Sequence, residues 1–160
     1  MINTTLCYIE QDGNYLLLHR IKKKNDINKD KWIGIGGKFL ENESPEECVI
    51  RETKEETGLT LLNPRYRGIV TFVCDQGEGE WMHLFTADLF SGQLQECDEG
   101  ELCWVPKKAV YQLPIWQGDK IFLKLIENPL QPFFSLKLVY DQDRLCQAVL
   151  NGEELSLENC

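Results

Sequence analysis

The sequence predicts a single α+β domain. Strand-like runs rich in β-branched, aromatic and aliphatic residues recur along the whole chain, and only two segments carry a helical pattern. No internal repeat or low-complexity linker interrupts them. The 160 residues suit one domain with a full core and leave no room for a second. The expected domain covers 1–160, with a core from about residue 4 to 150 and a polar tail over 151–160.

Taken in order, Thr4 to Glu10 reads as a strand, Gln11-Asp12-Gly13-Asn14 as a turn, and Tyr15 to Ile21 as the returning strand. A polar loop from Lys22 to Lys31 leads into Trp32-Ile33-Gly34-Ile35-Gly36-Gly37, a short strand ending in glycines that let backbone pass close to a ligand. The first helix starts at Ser44 as N-cap, with Pro45 at the first helical position and Glu47 closing a capping box. It runs to Gly58, which suits a left-handed cap. Leu61 to Cys74 and Trp81 to Phe90 read as strands around the turn over 75–80, and Leu102 to Val105 as a further apolar strand. Lys107 to Leu113 has no clear period. Asp119 to Glu127 reads as the second helix, stopped before Pro129, and Phe133 to Tyr140 with Leu145 to Leu150 as a closing hairpin. The tail from Gly152 is expected to fray.

A formal charge of −9 argues against a nucleic-acid polymer as partner, because a phosphate backbone calls for a basic stripe. A small nucleotide remains compatible, since bound divalent cations invert a local field. Basic residues gather in one place: Arg20, Lys22, Lys23, Lys24, Lys29, Lys31 and Lys38 lie just before the first helix and read as a phosphate-facing rim. Seven cysteines form no C-x-x-C pair, and Cys7, Cys74 and Cys103 fall in apolar runs as small hydrophobes. With no basic-then-apolar leader and no apolar run near the ~18 residues of a membrane span, the chain reads as cytoplasmic and reduced.

The first helix carries the chemistry. At about 100° per residue Glu52, Glu55 and Glu56 fall in one arc, with Val49, Ile50, Thr53 and Thr57 on the side available for burial. Like charges at this spacing cost a few tenths of a kcal/mol per pair. A cation would offset that cost, and carboxylate oxygens are what hard Mg²⁺ or Mn²⁺ prefer. A solvated acidic face is the plain alternative for an isolated E-x-x-E-E. His19 and His83, in separate strand runs without ligand spacing, read as structural, and no Ser-His-Asp arrangement or nucleophile elbow is visible.

The spacing does not stand alone. Gly37, Glu43, Arg51, Glu52, Glu55, Glu56, Gly58 and Leu59 follow G-x5-E-x7-R-E-x2-E-E-x-G-L, which resembles the signature of the Nudix hydrolase superfamily. Thr53, where that family more often has an aliphatic residue, is the one mild departure within it. The resemblance implies an α/β/α sandwich with a mixed central sheet. It also implies metal-dependent hydrolysis, with Glu52, Glu55 and Glu56 as metal ligands and Gly36 or Gly37 lending a carbonyl. Glu43 and Arg51 become an ion pair that orients the loop, and Lys38 and Lys23 phosphate contacts. Glu99 in the second acidic cluster matches the remote glutamate of related enzymes, with Glu101 as the alternative. One helix glutamate, or Glu99, is the general base.

Lys31 to Lys38 and Leu113 to Asp119 further resemble the MutT-like oxidised-purine triphosphatases, a likeness running from about residue 5 to 150. That branch implies cleavage of 8-oxo-dGTP to the monophosphate and pyrophosphate, a nucleotide-pool sanitising role linked to DNA repair. Trp116 would stack on the purine, Asp119 read its edge and Phe72 form a second wall, with a core aromatic the alternative for Trp116. The chain departs from the pattern twice. Ile33 stands where the mammalian enzymes have a base-binding Asn, and Gly118-Asp119 where they have two aspartates. The alternatives are a Nudix pyrophosphatase of another nucleoside diphosphate derivative, or a nucleotide-binding module without catalysis.

Overall fold

In the computed structural model, which describes residues 1–157, alternation within the strands builds two cores on opposite faces of one sheet. Strand β1 (Ile2–Gln11) turns Leu6 and Tyr8 to one face and Cys7 and Ile9 to the other; β2 (Asn14–His19) does the same with Tyr15, Leu17 and Leu16, Leu18. Strands buried on both sides need a cover on each. Helix α1 (Pro45–Thr57) closes the Cys7/Ile9 face with Val49, and α2 (Asp119–Glu127) closes the other with Phe122, Leu123 and Ile126. The result is the expected α/β/α sandwich.

The sheet is mixed. Strand β5 (Arg65–Cys74) pairs antiparallel with β6 (Glu80–Ala87), β6 parallel with β1, and β5 parallel with β9 (Phe134–Asp141). The hairpin partner β10 (Arg144–Leu150) follows on one side, and on the other β1 leads to β2 and β8 (Glu101–Pro106). Strands β1 and β2 stay paired only over Ile9–Gln11 and Asn14–Leu16, then splay. Residues 32–38 fill the wedge: β3 (Trp32–Ile33) bonds to β2, while Ile35 and Lys38 bridge to Cys7 and Thr4 of β1. That wedge carries the glycines to the N-terminal side of α1.

Several expected bounds move. The run from Leu61 breaks into β4 (Thr60–Leu61) and β5, because Asn63 is left-handed (φ 51°) and Pro64 follows it. The run to Phe90 likewise yields β6 and a separate β7 (Phe90–Ser91) that pairs with β4. Lys107–Gln112 is a 3₁₀ helix. The tail is not wholly frayed: β11 (Glu153–Glu154) pairs with β10, and Leu155 and Leu157 pack on the core; residues 158–160 lie outside the described residues. Ile50, expected on the buried side of α1, is 36% exposed, while Cys48 is fully buried there. The stripe that meets the sheet is Cys48, Val49, Thr53 and Thr57, about one residue around from the expected arc.

Candidate active site

Helix α1 is set by its termini. The Ser44 hydroxyl accepts from the Glu47 N–H at 3.1 Å and the Glu47 carboxylate from the Ser44 N–H at 3.0 Å, while Gly58 caps the far end at φ 82°. The loop before it is held by Glu43, whose carboxylate takes two bonds from Arg51 (2.6 and 3.0 Å) and one from the Leu40 N–H. Arg51 also donates to the Lys38 carbonyl at 3.0 Å. These bonds hold the Glu43 carboxyl down at about 2, the Arg51 hydrogen bond chief among the causes. The expected Glu43–Arg51 ion pair is therefore present.

A cavity of about 390 Å³ opens where this loop, the helix and the sheet meet. One end is acidic, lined by Glu52, Glu56 and Glu99 with Gly36, Gly37 and Lys38. Gly37 lies against the Glu52 carboxylate so closely that a Cβ would sit 2.4 Å from it, so a side chain at 37 would have to displace that carboxylate. The Gly37 carbonyl already accepts from the Thr5 N–H at 2.9 Å. The other end is apolar: Leu6, Ile33, Phe72, Met82 and Trp116, with Asp119 at its base.

Glu56 is the least satisfied group here. Its Oε2 is buried without a hydrogen-bond partner, and burial, then the charges of Glu99 and Glu52, push its pKa up. Glu99 is opposed by burial too, yet its bond from Lys23 (3.0 Å) and the charges of Arg20 and Lys23 hold it below the ordinary range. Among the described residues no three acidic, His or Cys side chains converge as a ready ligand cage. The geometry gives the reason: Glu52 and Glu55 are drawn to Arg51 (2.9 and 3.1 Å), and Glu99 to Arg20 and Lys23. The donor set still suits a hard divalent cation, being all oxygen, with a buried Glu56 carboxylate oxygen that has no hydrogen-bond partner among the described residues.

The remaining expected residues divide. Trp116 is 4% exposed, edge-on to Phe72 and Tyr140, with the Lys31 ammonium 4.6 Å from its ring centre. It is thus both core and cavity wall. Asp119 is 6% exposed, and burial pushes its carboxyl up to about 8 against the pull of Lys31. Glu55, 59% exposed, and Lys23, 56% exposed on Glu99, do not line the cavity, and neither does Glu101. Lys23 meets a carboxylate rather than open space because Glu99 lies within its reach. Neither histidine reaches the cavity: His19 stacks on Trp32 at 4.3 Å, and His83 bonds Tyr66 and Asn3. Position 118 has a steric explanation, since a Cβ there would sit 2.5 Å from Leu138 Cδ1 and 2.6 Å from the Tyr140 hydroxyl.

Sequence reasoning missed Asn28 and Glu80. Glu80 shares a face of β6 with Met82, so the period of that strand could have found it; it accepts from the Thr4 hydroxyl at 3.0 Å, and burial raises its pKa. Asn28 sits in an irregular loop with no period to betray it.

A glycine loop wedged into a mixed sheet thus delivers an acidic helix to a two-ended cavity. The NUDIX domain family matches residues 2–126, and the chain belongs to that family as a Nudix hydrolase. It is 36% identical over 120 residues to an uncharacterised Nudix hydrolase, YvcI, of Bacillus subtilis, covering 72% of each chain. It is 33% identical over 124 residues to the oxidised purine nucleoside triphosphate hydrolase of Danio rerio, covering 76% of this chain and 77% of the relative. In structure it is similar to a mutator MutT protein from Bacillus halodurans, with a TM-score of 0.82, 29% identity, and 96% and 99% of the two chains covered. No helix among the described residues is long and apolar enough to cross a membrane.

Proposed function

We propose that the chain hydrolyses oxidised purine nucleoside triphosphates, 8-oxo-dGTP foremost, to the monophosphate and pyrophosphate. The observation that carries this reading is the cavity itself, acidic at one end and walled by Trp116, Phe72 and Ile33 at the other. Such a pocket suits a phosphate–metal complex joined to a flat base. The similarity to MutT and to the Danio rerio enzyme supports it.

Glu52, Glu56 and Glu99 are the groups that would hold Mg²⁺ or Mn²⁺, with Glu55 one turn out on the same helix. Gly36 or Gly37 would lend a carbonyl, and that of Gly37 already accepts one bond, from the Thr5 N–H. A divalent ion bound there supplies charge neutralisation at phosphate oxygens and a lowered pKa for water. The chain's own part is to position and to move a proton. Water attacks the α- or β-phosphorus of the triphosphate, its proton passes to a carboxylate oxygen of Glu99 or a helix glutamate, and the bond from that phosphorus to the α–β bridging oxygen breaks, which releases the monophosphate and pyrophosphate. Lys38 faces the phosphates, and Arg51 with Glu43 keeps the glycine loop in register without touching substrate.

The test is the ratio of kcat/KM for 8-oxo-dGTP over dGTP in the wild type, Asp119→Asn and Ile33→Asn. The expected ratio is well above one, lower in Asp119→Asn and higher in Ile33→Asn. A ratio near one that neither change moves would leave a general nucleoside triphosphate pyrophosphatase and overturn the sanitising role.

A further inference from the structure

The polar loop between β2 and β3 is tied to both ends of the cavity. Glu99 Oε2 accepts from the Arg20 guanidinium at 2.7 Å, and Arg20 Nε donates to Asp26 Oδ2 at 2.6 Å. Asp26 Oδ1 accepts from the Asn28 backbone N–H at 3.0 Å, and Asn28 Oδ1 accepts from Trp116 Nε1 at 2.6 Å. The last bond fixes the amide. An indole N–H only donates, so the carboxamide oxygen must face Trp116 and the NH₂ must point elsewhere.

Asn28 lines the cavity, and among the described residues its Nδ2 donates to no protein group. The neighbouring donors are committed. Arg20 serves Asp26 and Glu99, the Thr4 hydroxyl serves Glu80, and the Thr5 hydroxyl is bonded with the Cys48 thiol. The side chains of Leu6, Ile33, Phe72 and Met82 have none to give. Among the described residues Asn28 Nδ2 is therefore an oriented, neutral, uncommitted amide donor at the apolar end of the pocket, and it stands beside Trp116.

We propose that Asn28 is a specificity-determining residue of this pocket, donating from Nδ2 to an exocyclic carbonyl of the bound base, so that 6-oxopurine nucleotides are taken over 6-aminopurine ones. The assignment rests on the purine-nucleotide reading above and names the edge that is read. Rotating the amide to offer its oxygen would break the bond to Trp116 and strand the indole N–H. An exocyclic amine at this position would set donor against donor, and a site built to hydrogen-bond one group discriminates strongly against a substrate that leaves its donors unpaired.

Asn28→Asp separates the two functions of the side chain, because a carboxylate still accepts from Trp116 but cannot donate; Asn28→Ala removes both. For these proteins and the wild type, kcat/KM would be measured on dGTP, dITP and dATP, and binding of GMP, IMP and AMP by calorimetry. Guanine and hypoxanthine share the 6-carbonyl that adenine replaces with an amine. The wild type is expected to favour both 6-oxo nucleotides, and Asn28→Asp to cut that preference about tenfold, the equivalent of one neutral hydrogen bond, at an unchanged melting temperature. A wild-type ratio near one, or a ratio that Asn28→Asp preserves, overturns the assignment. If nothing is turned over but the binding preference is present and lost in Asn28→Asp, the reaction is wrong and Asn28 stands. If binding shows no such preference, Asn28 falls as well.

Discussion

Glu56, half-buried with one oxygen fully enclosed, and the buried Asp119 both have raised pKa values, and their surroundings give them different work. Glu56 has carboxylate neighbours and an unpartnered oxygen, so a cation is what its environment calls for. Replacing it by Gln keeps the shape and removes the charge, and kcat should fall by about 10²-fold or more with the circular dichroism spectrum unchanged. Retention of most turnover at saturating Mg²⁺ would remove Glu56 from the metal-binding set. Burial pushes the folded Asp119 carboxyl up to about 8 against the pull of Lys31, from an unfolded value of about 3.9. Between those two values the folded chain keeps a proton that the unfolded chain has released. Its contribution to stability therefore falls as pH rises from about 4 to 8 and is flat above that, by on the order of a few kcal/mol. Urea denaturation at pH 5 and pH 8 should show a smaller difference in Asp119→Asn than in the wild type; an equal difference would mean that Asp119 is ionised in the fold. The acidic residues of α1 were legible because helical spacing is local. Asn28 was not, since its partner Trp116 is 88 positions away.

At the scale of elements, α1 was readable to the residue at both ends because caps are written in four or five adjacent positions. Each cap has a distinct cost. Ser44→Ala removes one acceptor from the helix N-terminus and should lower stability by about 1 kcal/mol. Gly58→Ala should cost more, because the residue stands at φ 82° and the added Cβ would meet the Gln93 carbonyl oxygen at 2.6 Å. Denaturation midpoints of the two variants check the order, and a milder effect at Gly58 than at Ser44 would contradict the cap geometry. The strands were legible where alternation is strict, as in β1, β2 and β9. The wedge of residues 32–38 was legible only as a short strand, since its two-sided pairing depends on β1 and β2 diverging, which no local pattern encodes. Ile50 was misplaced for a related reason: the arc a helix buries is set by the slope of the sheet beneath it as well as by its own period.

On the scale of the whole molecule, the sandwich brings together charge that the chain keeps apart in sequence. Arg20 follows β2, Glu99 precedes β8, and Glu52 and Glu56 lie on α1, yet they meet at one end of one cavity. The fold thus stores repulsion among Glu52, Glu56 and Glu99 that Arg20, Lys23 and Arg51 offset only in part. A ligand that relieves it binds the folded chain and finds no such cluster in the unfolded one. Mg²⁺ should therefore stabilise the entire domain by mass action, by about 2.7 kcal/mol at a hundred times its Kd. For a domain of this size that is roughly 5–10 °C in melting temperature, at about 2–4 °C per kcal/mol. A Mg²⁺ titration followed by thermal unfolding, repeated on Glu56→Gln and reversed with a chelator, reads this without any substrate. The expected result is a saturable rise in the wild type that is largely lost in the variant. An equal rise in both would place the cation somewhere other than the acidic end of the cavity, and no rise in either would show that the carboxylates of α1 hold no metal in the free protein.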